Sequence, residues 1–228
     1  MLLTDHYFMI ALTAGVIPAL FWLWFWLRED KENPEPWPLI AISFLAGMAI
    51  IPLVVPLQQL AAELYVGENK MLAWVIIEES MKYLVALLIV LWNNAVDEPI
   101  DLVMYMIFVA LGFAALENTL FIYQQLTGGA YLESFFTGSL RFVGATLLHV
   151  LASASVGVCM AFAFYRSNTV RLVYGTVGLC IAIVLHDLFN SFIMIGNPNS
   201  ILFVFMFVWA GIIVIFLLLE KIKRLGHI

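Results

Sequence analysis

Hydrophobic positions run along this chain in long blocks, separated by short polar stretches. Seven blocks can be read, at residues 7–27, 38–60, 71–92, 102–124, 138–165, 170–195 and 201–220. None shows the strict alternation of a half-buried strand, so each is predicted to be a helix rather than a barrel strand. A helix needs about 20 apolar residues to cross a bilayer core about 30 Å thick, and each block is about that long. The predicted fold is therefore all-α: a polytopic transmembrane helical bundle of about seven spans, forming one integral membrane domain over residues 1–228.

The polar stretches have clear causes. Residues 29–38 are charged and hold Pro34, Pro36 and Pro38; residues 93–101 hold Asp97, Glu98, Asp101 and Pro99; Gly196-Asn197-Pro198-Asn199 is a turn signal. Pro18, Pro52 and Pro56 lie inside spans and are predicted to kink them. The run from Tyr7 to Leu27 is longer than a signal-peptide core of about 7–15 residues and has no basic segment before it, so it is predicted to be a retained first span. Gly157 and Ala161 have the spacing of a close helix crossing.

Composition narrows the function classes. The chain is 64% hydrophobic and 11% charged, against about 45–50% and about 25% in a soluble domain. Its mean hydropathy is +1.03. With a net charge of −6 and no basic patch, a nucleic-acid partner is not expected. Cys159 and Cys180 sit in apolar runs and read as small hydrophobes. The expected partner is the lipid bilayer itself.

Lys and Arg set the expected orientation. With the N-terminus outside and the C-terminus inside, Arg28, Lys31, Arg166, Arg171, Lys221, Lys223 and Arg224 are cytoplasmic, and only Lys70 and Arg141 face outward. Trp22, Trp24, Trp26, Trp37 and Trp92 fall near the predicted interfaces, as an aromatic belt would. The acidic loop 29–35 reads as a solvated interfacial turn.

The informative residues are polar ones inside spans. The third span carries Glu78, Glu79 and Lys82, the fourth Glu117 and Asn118, the fifth His149, and the sixth His186 and Asn190. A charge near the bilayer centre costs about 2.5–3.5 kcal/mol even on the lenient insertion scale, so such residues mark function. Counting along the spans in the expected orientation, Glu78, Glu117, His149 and His186 all lie roughly 10–17 Å below the outer surface. Glu78 and Lys82 are four apart and are expected to pair, while Glu79 points about 100° away. His186 and Asn190 share a face. Carboxylates and imidazoles together suit hydrolysis, with a carboxylate as general base or with zinc held by Glu and His. No H-E-x-x-H motif is present. Ser153 and Ser155, one turn beyond His149 on its own helix, are poorly placed for a Ser/His pair.

Each residue also has a plain structural reading. Glu78 with Lys82 can be an ion pair alone, Glu117 a protonated carboxyl, and His149 a hydrogen-bonded packing residue.

At these residues the sequence resembles the PrsW-type intramembrane proteases, part of the wider CAAX-protease group. The matching pieces are Glu78-Glu79-Ser80-Met81-Lys82, Phe113 through Glu117-Asn118, His149, and His186 through Asn190, together with Glu32-Asn33-Pro34-Glu35-Pro36 after the first span. The resemblance implies a membrane-embedded peptidase of a prokaryotic plasma membrane that cuts a single-span membrane protein, such as an anti-sigma factor. It implies Glu78 or Glu79 as the group that activates water. Glu117 would orient that water, joined by His149, while His186 and Asn190 would stabilise the oxyanion. Lys82 would balance charge. Where a metal, possible zinc, takes part, the resemblance implies Glu78, Glu117, His149 and His186 as its ligands. Asn190 stands where the family's namesake pattern carries Asp, and His149 is followed by Val150 rather than a small residue. The residues alone leave two other classes open: a proton- or ion-coupled transporter, because Glu/His chains also relay protons, and a non-catalytic membrane scaffold.

Overall fold

The computed structural model describes residues 6–29, 33–132, 141–195 and 198–224. The readings above that fall on residues 30–32, 138–140, Gly196 and Asn197 lie outside these residues. The helices are α1 (His6–Trp26), α2 (Trp37–Ala49), α3 (Ile51–Leu64), α4 (Gly67–Ile89), α5 (Pro99–Thr127), α6 (Thr146–Phe162), α7 (Asn168–Ile195) and α8 (Pro198–Lys223), with a π turn at Arg141–Ala145 leading into α6. There is no strand among the described residues.

Among the described residues, six segments are long and apolar enough to cross a membrane, and α2 and α3 together form one of them, Trp37–Leu64. The remaining long helix is α4. Its 23 residues reach about 35 Å, but Glu78, Glu79 and Lys82 make it less apolar than the others. The Trp37–Leu64 span is interrupted at Ile50 alone, two residues before Pro52, whose ring removes a helical N–H. The helix α5 begins earlier than its apolar run because polar residues cap it. Glu98 and Asp101 form a capping box around Pro99, which starts α5 three residues before its first predicted apolar position.

The axis of the bundle is α5. It is apolar on all sides, and its residues from Ile100 to Ala115 are buried, as expected of a helix surrounded by others. In lipid there is little hydrophobic drive between helices, so close backbone packing must hold them. The sequence supplies this at glycines. A Cβ on Gly112 would overlap the Phe44 carbonyl, and one on Gly47 would overlap that of Val109, so α2 and α5 cross backbone to backbone. At Gly157 a Cβ would meet the Leu102 carbonyl at 2.6 Å, so the predicted close crossing is the one between α6 and α5.

Two interfacial readings change. Trp22 and Trp26 are buried in the bundle rather than at a lipid interface, and Trp26 stacks on Phe216 with centroids 5.0 Å apart. Trp24, Trp37 and Trp92 are exposed as expected. The loop after α1 is not wholly solvated either: Glu35 is 7% exposed and accepts a hydrogen bond from the Tyr105 hydroxyl of α5. An acid in a loop can be drawn inward by a buried hydroxyl that donates to it.

Candidate active site

The polar residues of four separate helices meet at one place. Glu78, Glu79 and Lys82 come from α4, Glu117 and Asn118 from α5, His149 from α6 and His186 from α7. One ligand atom from each of Glu78, Glu79, His149 and His186 lies within 4.8 Å of the other three, and all four residues are buried. The periodicity of α4 explains its share. Positions 78, 79 and 82 fall within one turn, on the side facing α5 and α7 rather than lipid.

Glu79 is the most heavily bonded carboxylate. Its Oε1 accepts from Lys82 Nζ at 2.6 Å and lies 2.6 Å from His186 Nδ1. Lys82 is 0% exposed and Glu79 1%. The expected pairing of Lys82 with Glu78 is therefore replaced by one with Glu79. Spacings of three and four both bring side chains together on a helix, and the tertiary partners decide between them. Gln58 of α3 takes Glu78 instead, donating from Nε2 to Oε1 at 2.7 Å, and Trp74 Nε1 fixes the Gln58 backbone carbonyl at 2.8 Å.

Lys82 also donates to His149 Nδ1 at 3.0 Å and sits 4.7 Å above the Phe113 ring. An ammonium only donates, so Nδ1 of His149 is the unprotonated nitrogen and Nε2 carries the hydrogen. Nε2 lies 3.0 Å from Glu117 Oε2. That same carboxylate oxygen accepts from Arg141 Nη2 at 2.5 Å, while Arg141 Nε donates to Asn118 Oδ1 at 2.5 Å. Asn118 donates to Thr146 Oγ1, whose hydroxyl donates to the Arg141 carbonyl. A closed circuit thus fastens the π turn to α5. Such turns are frequent at functional sites.

His186 behaves differently from His149. As a neutral imidazole donating Nδ1–H to Glu79, it presents a lone pair at Nε2. Nε2 faces Glu78 Oε2 at 3.8 Å, and that buried oxygen has no hydrogen-bond partner among the described residues. Two acceptors facing one another without a donor are costly in a dry site. A water hydrogen or a metal ion between them removes the conflict. Carboxylate and imidazole are donors that zinc accepts, so Glu78, Glu79 and His186 fit a metal, and His149 can join them when its Nδ1 is released from Lys82. Glu117 is one step removed, on the far nitrogen of His149. Asn190 is half-buried one turn beyond His186, and no described residue hydrogen-bonds its amide. Ser155 bonds back to Leu151 O in its own helix.

Sequence reasoning missed two members. Arg141 was counted among the outward loop charges although it lies just inside the fifth predicted span; an arginine at a span boundary beside an unpaired intramembrane carboxylate was the available signal. Gln58 was passed over because attention went to ionisable groups, yet an amide in an apolar span also needs a partner.

The family model that matches residues 35–219 is described as "PrsW family intramembrane metalloprotease". "Protease PrsW" of Bacillus subtilis (strain 168) is 25% identical over 213 residues, covering 88% of this chain and 92% of that protein. "Protease PrsW" of Clostridioides difficile (strain 630) is 26% identical over 203 residues, covering 85% and 83%. "Protease PrsW" of Geobacillus kaustophilus (strain HTA426) is 29% identical over 161 residues, covering 69% and 66%. No solved structure matches the chain.

Proposed function

The chain belongs to the PrsW family of intramembrane metalloproteases, and from that premise we propose that it hydrolyses a peptide bond of a single-span membrane-anchored protein in a bacterial plasma membrane, with Glu78 as the group that activates water. Membership makes it an integral multi-pass membrane protease and replaces the transporter reading; the complete cluster of donors speaks against a scaffold.

The observation that carries the assignment is the gap between Glu78 Oε2 and His186 Nε2, 3.8 Å wide and without a hydrogen bond from Glu78. A buried carboxylate oxygen with a free lone pair can take a proton from water. Gln58 holds the other oxygen and so fixes the carboxylate plane. Glu79 orients His186 through Nδ1, the role a carboxylate plays behind a ligating histidine. Glu117 and Lys82 fix the His149 ring from its two sides. Asn190, one turn beyond His186, would donate its amide N–H to the oxygen of the scissile carbonyl.

A zinc ion would be held by Glu78, Glu79 and His186, joined by His149 where its Nδ1 is released from Lys82, and it would polarise the scissile carbonyl and lower the pKa of bound water to about 7. Whatever proton Glu78 accepts is then available for the departing amine. The cationic side chains Lys82 and Arg141 pair with Glu79 and Glu117 beside it.

The test uses purified protein in nanodiscs with a single-span substrate peptide. Glu78→Gln, Glu79→Gln and His186→Ala should each abolish cleavage while the melting profile persists. Full cleavage by the Glu78→Gln variant would overturn the assignment of the base. A strong zinc chelator should stop the reaction and added zinc restore it, with one bound equivalent found by elemental analysis.

A further inference from the structure

A cleft of 160 Å³ opens between α3 and α5 and ends on the two carboxylates Glu78 and Glu117. Val54 and Val55 of α3 form one wall; Phe113, Leu120 and Phe121 of α5 form the other. Leu120 and Phe121 are exposed on the outer flank of the bundle, so the mouth faces sideways, toward lipid. The cleft is thus continuous with the hydrolytic site at its floor and with the membrane at its mouth. Two larger hollows, on α1 and between α3 and α4, contain no carboxylate and touch none of the site.

Resting on the protease reading, we propose that this cleft is a specificity subsite that seats one large apolar side chain of the substrate, next to the bond to be cut. Size supports this first. An engineered cavity of about 150 Å³ admits a benzene ring, so 160 Å³ takes one Leu, Ile, Met or Phe side chain. Shape, not greasiness, must do the selecting. Lipid tails are as apolar as leucine, so an apolar hollow gains little by being filled unless the side chain packs against its walls. The walls here are firm on one side: Val54 is packed with Ile50, Ile51 and Phe113. On the other, the Arg141 guanidinium lies 4.0 Å above the Phe121 ring, so the circuit that holds Glu117 also braces the cleft.

Polar groups at the cleft fit an unwound substrate segment better than a lipid chain. A peptide bond can be cut only after its segment leaves the helix, and its freed N–H and C=O groups then need partners away from water. The Gln58 amide stands beside Glu78 and the Gln124 amide stands at the mouth. An acyl chain has no use for either.

The experiment presents the protein in nanodiscs with single-span peptides in which one intramembrane position at a time is randomised, and sequences the products by mass spectrometry. Wild-type protein should select Leu, Ile, Met or Phe over Ala at one position beside the cut by about tenfold, the usual worth of a methylene or more in an apolar pocket. Val55→Phe narrows the cleft and should shift that preference toward Ala, Ser or Gly. Leu120→Ala widens it from the opposite wall and should extend the preference toward Trp. Profiles of both variants that superimpose on the wild type would overturn the subsite and leave the cleft to lipid. A change at Leu120→Ala alone suffices to sustain it when Val55→Phe lowers the melting temperature. No cutting by wild type, or cutting undiminished in Glu78→Gln, would instead remove the protease reading, and the subsite with it.

Discussion

Lys82 offers the sharpest test of how this site is wired. Its ammonium is fully buried and donates to Glu79 at 2.6 Å and to His149 at 3.0 Å. Replacing it with Met keeps the volume and removes both bonds. Glu79 is then a buried carboxylate with His186 as its remaining partner, and His149 Nδ1 loses its donor. Breaking a buried ion pair from one side costs about 3–5 kcal/mol. Glu79→Gln removes the stranded charge, so the double variant should cost much less than the sum of the two single ones. A coupling of about 2 kcal/mol or more is expected, well above the about 0.5 kcal/mol within which independent sites add. Unfolding in mixed micelles, with fluorescence as readout, measures each corner of the cycle. A parallel cycle with Glu78→Gln should give less than half that coupling, because Gln58 and not Lys82 bonds Glu78. A Glu78 cycle equal to or stronger than the Glu79 cycle would refute the reasoning and restore the pairing expected from spacing alone.

Other predictions follow from the same contacts. Gln58→Leu removes the bond to Glu78 Oε1; a hydrogen bond to a charged group is worth about 1.5–3 kcal/mol, so kcat should fall roughly tenfold to hundredfold while KM for a small-residue substrate changes little. Arg141→Lys keeps the charge but cannot bridge Glu117 and Asn118 with a planar fork, and cleavage rate should drop by about tenfold or more, with partial recovery not expected from added salt. Gly112→Ala places a methyl into the Phe44 carbonyl; overpacking of about 1–3 kcal/mol should appear as a lower unfolding midpoint with the active-site residues unchanged. Tyr105→Phe takes the hydroxyl from Glu35 and should lower stability by about 1.5–3 kcal/mol, measured by the same unfolding assay.

Much of this molecule is legible in one dimension. Long apolar runs fix the helical passes because the bilayer allows few alternatives for the backbone. Glu78, Glu117, His149 and His186 stood out for the same reason: an ionisable group in lipid needs a partner or a task. The small residues at Gly157 and Ala161 announced a close crossing, though not its partner, Leu102 and Val103 of α5.

What the sequence alone determined is therefore the class of structure and the short list of chemical groups. Tertiary structure decided who bonds to whom. Lys82 chose Glu79 over Glu78, Arg141 left the count of loop charges to hold Glu117, and Gln58 became a neighbour of Glu78. Helical spacing limits a side chain to a face and a turn, several ångströms across. A hydrogen bond is settled within a few tenths of an ångström. Only the packing of α5 against its neighbours, set by glycines at the crossings, brings four helices into that finer register.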